Sequence, residues 1–420
     1  MTKNDTVGLF AYKAVDKKII KNRVLGRAWS KQSPISVKVY SKIGNLNYNN
    51  ILLHLKNYHK NDSLEITNSG TFNFSRFAEK KVLIEIAEFL KLNFSSLSGY
   101  ITAGGTESNI YAMWIARNWA KKIAKEKQTK INWIIPKVSH YSFPKALDLL
   151  GILDNAKNII HSIDKDENKI SKIAEIKETI EKILVNNPKQ PIVIVLTAMT
   201  TEFGLLDPIK ETLAFIKEKN IQNVYVHVDA CYSGFILPFT NKYKNIFADS
   251  LISSLSIDFH KTFGGPIGSG AIFVNHNLYE NAEIYSSYIS GNSDYTLLGS
   301  RSGLSAIQIY ELWKSKKVTL KKEIEKANEL TSYFFNEIKT IKEIKVLYKP
   351  FSNYLIFSTN IQNSPNYEKF VNLCNQYSVS FAIDDKKHFY KIIINHYVTK
   401  KTLSTFVKEI KQCMKEITTK

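Results

Sequence analysis

Four short apolar runs constrain this chain more than anything else in it: Ile131–Ile135, Ile159–Ile163, Ile192–Thr197 and Tyr225–Val228. Each has the length of a strand and none is flanked by further apolar turns of a helix. Between the last three lie segments with helical spacing, Lys172–Leu184 and Pro208–Lys219. Strands that are apolar throughout are buried on both faces, and amphipathic helices between them supply the cover. The expected fold class is α/β, a mixed and mostly parallel sheet with helices on both sides. Leu251–Ile257 and Ala271–Val274 extend the sheet, and Tyr100–Thr102, Gly104-Gly105 and Glu107–Lys127 read as strand end, tight turn and long helix. Ser75–Leu90 is helical by the spacing of Phe77, Val82, Ile86 and Phe89. After Arg301 the pattern changes to a long helix reaching about Lys339, then Val346–Leu347, Asn353–Phe357, Lys391–Ile394 and a closing helix from Lys401. This predicts an N-terminal arm over residues 1–50, a large α/β domain over 51–305 and a small α+β domain over 306–420.

Composition excludes several classes. With 44% hydrophobic and 23% charged residues the chain is not disordered. Three cysteines, Cys231, Cys374 and Cys413, without paired spacing, make neither a disulfide framework nor a zinc ribbon, and no metal site is expected. The apolar runs are too short to span a bilayer and the N-terminus lacks a signal-peptide core, so a cytoplasmic protein without membrane contact is expected. The net charge of +20 would permit nucleic-acid binding. The lysines are nevertheless spread along the chain, with no run interleaved with aromatics, so specific binding is not expected.

Open parallel sheets bind ligands beyond the C-terminal ends of their strands. Four polar groups fall there. Thr102-Ala-Gly-Gly-Thr-Glu-Ser-Asn109 sits at a strand-to-helix turn, where free amides and the Thr106 and Ser108 hydroxyls suit a phosphate; the plainer reading is a glycine turn with an N-cap. Asp229 ends the strand Val226-His-Val-Asp, placed to bind a metal, act as a base or hold a protonated ring nitrogen, or merely to cap a turn. Lys261, in Ser256-Ile-Asp-Phe-His-Lys261 before a glycine-rich turn, is expected to be desolvated, with a lowered pKa suited to bonding a carbonyl carbon; the alternative is a lysine reaching out to solvent. His140, in His-Tyr-Ser-Phe-Pro, is placed to stack on a planar ring or to serve as an ordinary polar residue. Together these are the parts that hold pyridoxal 5'-phosphate.

At these residues the sequence resembles the group II pyridoxal-phosphate-dependent amino-acid decarboxylases. The resemblance is carried by Gly104–Asn109, His140–Lys145, Thr200-Thr201 with Gly204 and Asp207, His227–Ala230, His260-Lys261, Gly299–Gly303 and His396–Lys401. It covers about residues 40 to 410 and is nearest to the bacterial pyridoxal-type histidine decarboxylases and plant serine decarboxylases. It implies the fold type I, aspartate aminotransferase-like architecture, a homodimer with shared active sites, and decarboxylation of a free L-amino acid to an amine and CO2. By position, Lys261 would bond the cofactor aldehyde, Asp229 would pair with the ring nitrogen, Ala230 would lie beneath the ring and His140 above it. Gly105, Thr106, Glu107 and Ser108, with His260, would hold the phosphate, and Thr201 would sit near a cofactor oxygen or the substrate carboxylate. A tyrosine of the loop Ser286–Leu298 would protonate the substrate, Tyr288 first and Tyr295 second. Ser302 and Leu304 replace the Asn and His usual in that branch, and Met199 stands where Gly is common, departures that bear on the substrate; Leu304 suggests a less polar pocket. The rival readings are a carbon–carbon lyase acting on an amino-alcohol phosphate with the same cofactor, and a basic nucleic-acid binder that has lost catalysis.

Overall fold

The computed structural model describes residues 47–49, 53–54, 73–92, 97–165, 170–288, 292–384 and 387–418. The arm expected over residues 1–50 lies outside them, apart from Asn47–Asn49. Among the described residues, one compact unit comprises 47–201 with 205–318, and a second comprises 202–204 with 319–418.

In the first unit β1 (Asn47–Asn49) and β2 (Leu53–His54) precede α1 (Asn73–Leu90). Then come β3 (Leu97–Thr102), α2 (Gly105–Lys127), β4 (Ile131–Pro136), α3 (Ser142–Leu149), β5 (Asn158–Ile163), α4 (Ile173–Asn186), β6 (Ile192–Thr197), α5 (Ile209–Glu218) and β7 (Val224–Asp229). β8 (Ile252–Asp258), β9 (Gly270–Asn275), β10 (Ile284–Tyr285), β11 (Ser293–Asp294) and β12 (Ser300–Ser302) follow, and α6 (Gly303–Ile338) begins here. The main sheet has the order β2-β3-β9-β8-β7-β6-β4-β5. β4 to β8 are mutually parallel, and β9 runs antiparallel to both β8 and β3. A mixed, mostly parallel sheet is therefore present, as the apolar runs imply.

Every residue of β3, β4, β6 and β8 is buried, so these strands have no solvent-facing side to orient them, and burial of each Ile or Val contributes about 1.5–3 kcal/mol. α2 crosses the sheet on its buried face, with Tyr111, Ala112, Ile115, Ala116 and Ala120 spaced at helical intervals. Its charges fit the helix dipole, with Glu107 in the first turn and Lys125 and Lys127 in the last, and Gln128 closes it in the left-handed conformation.

The second unit holds the later turns of α6, β13 (Ile344–Val346), β14 (Tyr354–Thr359), α7 (Tyr367–Gln376), β15 (Ser380–Asp384), β16 (Lys387–Ile393) and α8 (Lys400–Thr418). Its strands form an antiparallel sheet in the order β13-β14-β16-β15. Leu403, Phe406, Val407, Ile410 and Ile417 of α8 close its core. Helix α6 runs through the boundary expected near residue 305.

Candidate active site

A cavity of about 380 Å³ opens at the C-terminal ends of β3, β6, β7 and β8, within the size range of small-molecule sites. Asp229 is the last residue of β7 and is 5% exposed. Its Oδ1 accepts from the Cys231 amide at 3.0 Å and its Oδ2 from Asn109 Nδ2 at 2.9 Å. The carboxylate therefore caps the turn, as one reading of the sequence has it, and also lines the cavity. Burial pushes Asp229 up, but Lys261 and the Cys231 amide outweigh that and hold it below the usual carboxylate range.

Lys261 sits in a wide helical turn, Phe259–Phe263, directly after β8. Its Nζ lies 3.0 Å from Asp258 Oδ2. Desolvation pushes the ammonium down, as expected from its place in the sequence, yet Asp258, Cys231 and Asp229 together win and hold it above its ordinary value. The expected lowered pKa is thus corrected: the strand end that buries the lysine also brings a carboxylate within ion-pair distance.

The turn before α2 explains its glycines. Gly104 has φ +130°, and a Cβ on Gly105 would stand 2.4 Å from Cys231 Sγ and 3.0 Å from Asp258 Oδ2. The first amides of α2 are left open toward the cavity beside the Thr106 side chain. Glu107 and Ser108 turn elsewhere: Glu107 accepts from the Ala103 amide at 2.6 Å and the Tyr100 hydroxyl at 3.0 Å, and the Ser108 hydroxyl pairs with Thr102 Oγ1 at 2.8 Å. Their side chains brace the turn, and the Ser108 amide donates to the Gly104 carbonyl at 3.1 Å, so the amides available to a ligand precede it. His260 lines the cavity, its Nδ1 donating to the Ser269 carbonyl at 2.9 Å.

His140 lines the same cavity. Its Nδ1 accepts from the Ser142 hydroxyl at 2.8 Å and the Ser142 amide at 3.3 Å, which leaves the proton on Nε2, and burial keeps the ring neutral. Thr201 is exposed at the rim, whereas Ala230 is buried beneath the surface, its amide bonded to the Ser256 carbonyl at 2.9 Å. Met199 lines the wall with φ +72°, a conformation that costs a non-glycine residue about 1 kcal/mol. Ser302 and Leu304 are not among the described lining residues. Nor are the loop tyrosines: Tyr288 is 91% exposed, and Tyr295 donates to Glu283 at 3.0 Å. Two buried oxygens of lining residues, Asp258 Oδ1 and Thr197 Oγ1, have no hydrogen-bond partner among the described residues. A glycine cradle that any Cβ would fill, open helix amides, a lysine and a buried carboxylate fit pyridoxal phosphate.

Residues 78–360 match the family model of the pyridoxal-dependent decarboxylase conserved domain, well over half of the chain. The chain belongs to the pyridoxal-dependent decarboxylases. This decarboxylase is 29% identical over 362 residues to a tryptophan decarboxylase of Clostridium sporogenes, an alignment covering 85% of this chain and 82% of that one. It is 26% identical over 404 residues to a probable L-tyrosine/L-aspartate decarboxylase of Methanosphaera stadtmanae, covering 94% and 93%. Among solved structures, the L-methionine decarboxylase of a Streptomyces species shares the fold with a TM-score of 0.74 at 14% identity, covering 98% of this chain and 95% of that one. It is therefore a pyridoxal-phosphate-dependent amino-acid decarboxylase of fold type I. No helix among the described residues is long and apolar enough to cross a membrane.

Asn109 is visible in the sequence as the end of the Gly104–Asn109 motif, but its role comes from the fold. The available signal was a polar amide on the otherwise apolar face of α2. His227 shares a strand face with Asp229, two residues on, which the alternation of β7 already implies.

Proposed function

We propose that this enzyme decarboxylates a free L-amino acid with an apolar or aromatic side chain. The observation that carries this is the cavity wall: Met199, Tyr141, Tyr232 and Ile267 line it, and Lys261 is its one lysine, with no arginine, among the described lining residues. An aspartate side chain would call for a cation of its own, and the relatives named for tryptophan and tyrosine support the aromatic choice. The histidine or serine branch read from the sequence finds no support in those relatives. The rival carbon–carbon lyase would need basic residues for a second phosphate, and the lining offers none beyond Lys261, His140 and His260.

Bound pyridoxal phosphate supplies the electron sink that takes up the bonding pair as CO2 leaves. Lys261 is the amine that would hold the cofactor. Asp229 would keep a proton on the ring nitrogen, His140 would lie against the ring face, and the amides of Gly105, Thr106 and Glu107, with the Thr106–Ser108 segment and His260, would hold the phosphate. The Thr201 hydroxyl stands at the rim for the substrate carboxylate. Tyr288 protonates the substrate Cα, with Tyr295 the second choice. Its exposure away from its own cavity supports a homodimer in which it serves the other copy's site.

The test is release of CO2 and amine from each of the twenty amino acids by cofactor-loaded enzyme. Tryptophan, tyrosine or phenylalanine is expected to exceed aspartate and histidine at least tenfold in kcat/KM. A preference for aspartate or histidine refutes the aromatic reading. Mixing Lys261→Ala with Tyr288→Phe tests the shared site: activity should reappear in the mixed dimer, and its absence there removes Tyr288 from the role.

A further inference from the structure

Behind Asp229 lies a set of buried polar side chains whose hydrogens can be placed one after another. An ionised Asp229 only accepts, so the Asn109 group at 2.9 Å from Oδ2 must be the amide nitrogen. The second hydrogen of that nitrogen reaches Ser142 Oγ at 2.9 Å. Asn109 Oδ1 then faces His227 Nε2 at 3.0 Å and Ser256 Oγ at 2.8 Å, and both must donate to it. With its proton on Nε2, a neutral His227 must accept at Nδ1, where Ser254 Oγ stands at 2.8 Å. Ser254 Oγ in turn receives the Tyr225 hydroxyl at 2.9 Å. The register of β7 and β8 builds this chain, setting His227 opposite Ser254 and Asp229 opposite Ser256. Asn109, His227, Ser254, Ser256 and Tyr225 are all at most 1% exposed, so no water competes for these bonds.

We infer that Tyr225, Ser254, His227 and Asn109 form a one-way hydrogen-bond relay in which every donor points toward Asp229, making Asn109 and His227 positioning residues that keep its carboxylate charged and aimed at the cofactor's ring nitrogen. A chain of aligned dipoles polarises each member in turn and stabilises the anion at its end without placing a second full charge in the core. Asn109 also sets His140, because its other hydrogen occupies Ser142 Oγ and directs the Ser142 hydroxyl to His140 Nδ1 at 2.8 Å. One amide thus fixes both the carboxylate and the imidazole of the cavity. Burial holds His227 at about 4, so it stays neutral and the direction of the relay persists at physiological pH; the Asp229 charge and the Ser254 backbone, which pull the other way, do not offset that burial. The titratable groups that act on Asp229 or are acted on by it are Lys261, Cys231, His227, His140 and Asp207.

This rests on the reading that Asp229 faces the ring nitrogen, and the experiment separates the two. The enzyme is loaded with pyridoxal phosphate labelled with 15N in the ring, and the nitrogen chemical shift is followed against pH in folded protein with cofactor bound. The ring nitrogen of the wild type is expected to stay protonated through neutral pH. In Asn109→Leu and His227→Leu its apparent pKa is expected to fall by about one unit, a tenfold weaker hold on the proton. His227→Gln keeps an N–H toward Asn109 and is expected to restore most of the shift, which a loss of packing alone would not do. Ser254→Ala, a smaller change, should move the signal in the same direction if His227→Leu does not fold. Unchanged titration in every folded relay variant, with a large change in Asp229→Asn, overturns the relay and leaves the Asp229 reading standing. No change in Asp229→Asn overturns both.

Discussion

Asp207 and His227 make opposite contributions to stability within one pH window. Asp207 is buried, accepting from Ser171 Oγ at 2.5 Å and the Thr197 amide at 2.7 Å, and burial pushes its pKa up to about 6. Folded protein therefore binds more protons there than unfolded chain, and stability falls as pH rises from about 4 to 6. His227, pushed down to about 4 from 6.5 by burial, behaves inversely: its contribution is present above 6.5 and is lost as pH falls toward 4. Each is on the order of 3 kcal/mol, so in the wild type they largely cancel. Chemical denaturation at several pH values should show this. Relative to wild type, Asp207→Asn should become more stable as pH rises from 4 to 6, and His227→Gln less stable. Parallel profiles for the three proteins would mean that neither group is perturbed as described. Both residues stand in motifs visible in the sequence, at Asp207 and His227-Val-Asp, but their partners were not: Ser171 is 36 residues from Asp207 and Ser254 lies on another strand. Lys261 shows the same limit. Its burial was legible, and Asp258 stands three residues before it in the same motif, but the wide turn that brings the two side chains within 3.0 Å was not.

At the scale of elements, α1, β3 and β12 are tied by a buried ion pair. Glu79 on α1 is fully buried, accepts from the Ile101 amide at 2.8 Å and pairs with Arg301, which lies over the Tyr100 ring at 4.8 Å. Arg301 belongs to a motif with a functional resemblance, yet the structure uses it as a tie. Glu79→Ala leaves a buried cation unpaired and is expected to cost about 3–5 kcal/mol, whereas Glu79→Leu with Arg301→Met should recover much of this. Thermal melts of the single and double variants decide it, and equal losses in both would show that the pair's charge is irrelevant. Strongly periodic helices were legible to within about two residues, as at α2, α4 and α5. Helix α3 was not, because it is only eight residues long, carries Pro144 in its first turn and begins inside the His140 motif. Strand β15 and helix α7 were missed as well. β15 is only five residues long, Ser380–Asp384, and α7 is ten residues long, with Phe370, Leu373 and Cys374 its buried positions.

At the scale of the molecule, the topology escapes the sequence because strands apolar on both faces carry no mark of direction or order. Nothing in Ala271–Val274 says that β9 runs against its neighbours and separates β3 from β8. Charge is similar: lysines spread along the chain converge in space, with Lys121, Lys125, Lys130, Lys157 and Lys182 around a groove of about 1030 Å³ that no carboxylate lines among the described residues. Five such contacts predict duplex DNA affinity that falls roughly as the fourth to fifth power of salt and is micromolar or weaker at physiological ionic strength. Fluorescence anisotropy checks this, and sub-micromolar binding at that salt would restore the nucleic-acid reading. The central claim is narrower and rests on Lys261. Pure enzyme loaded with pyridoxal phosphate should be yellow, lose that colour with borohydride, and yield on peptide mapping a single cofactor-labelled peptide modified at Lys261, while Lys261→Ala neither takes the label nor releases CO2. A label on another lysine, or turnover by Lys261→Ala, would contradict it.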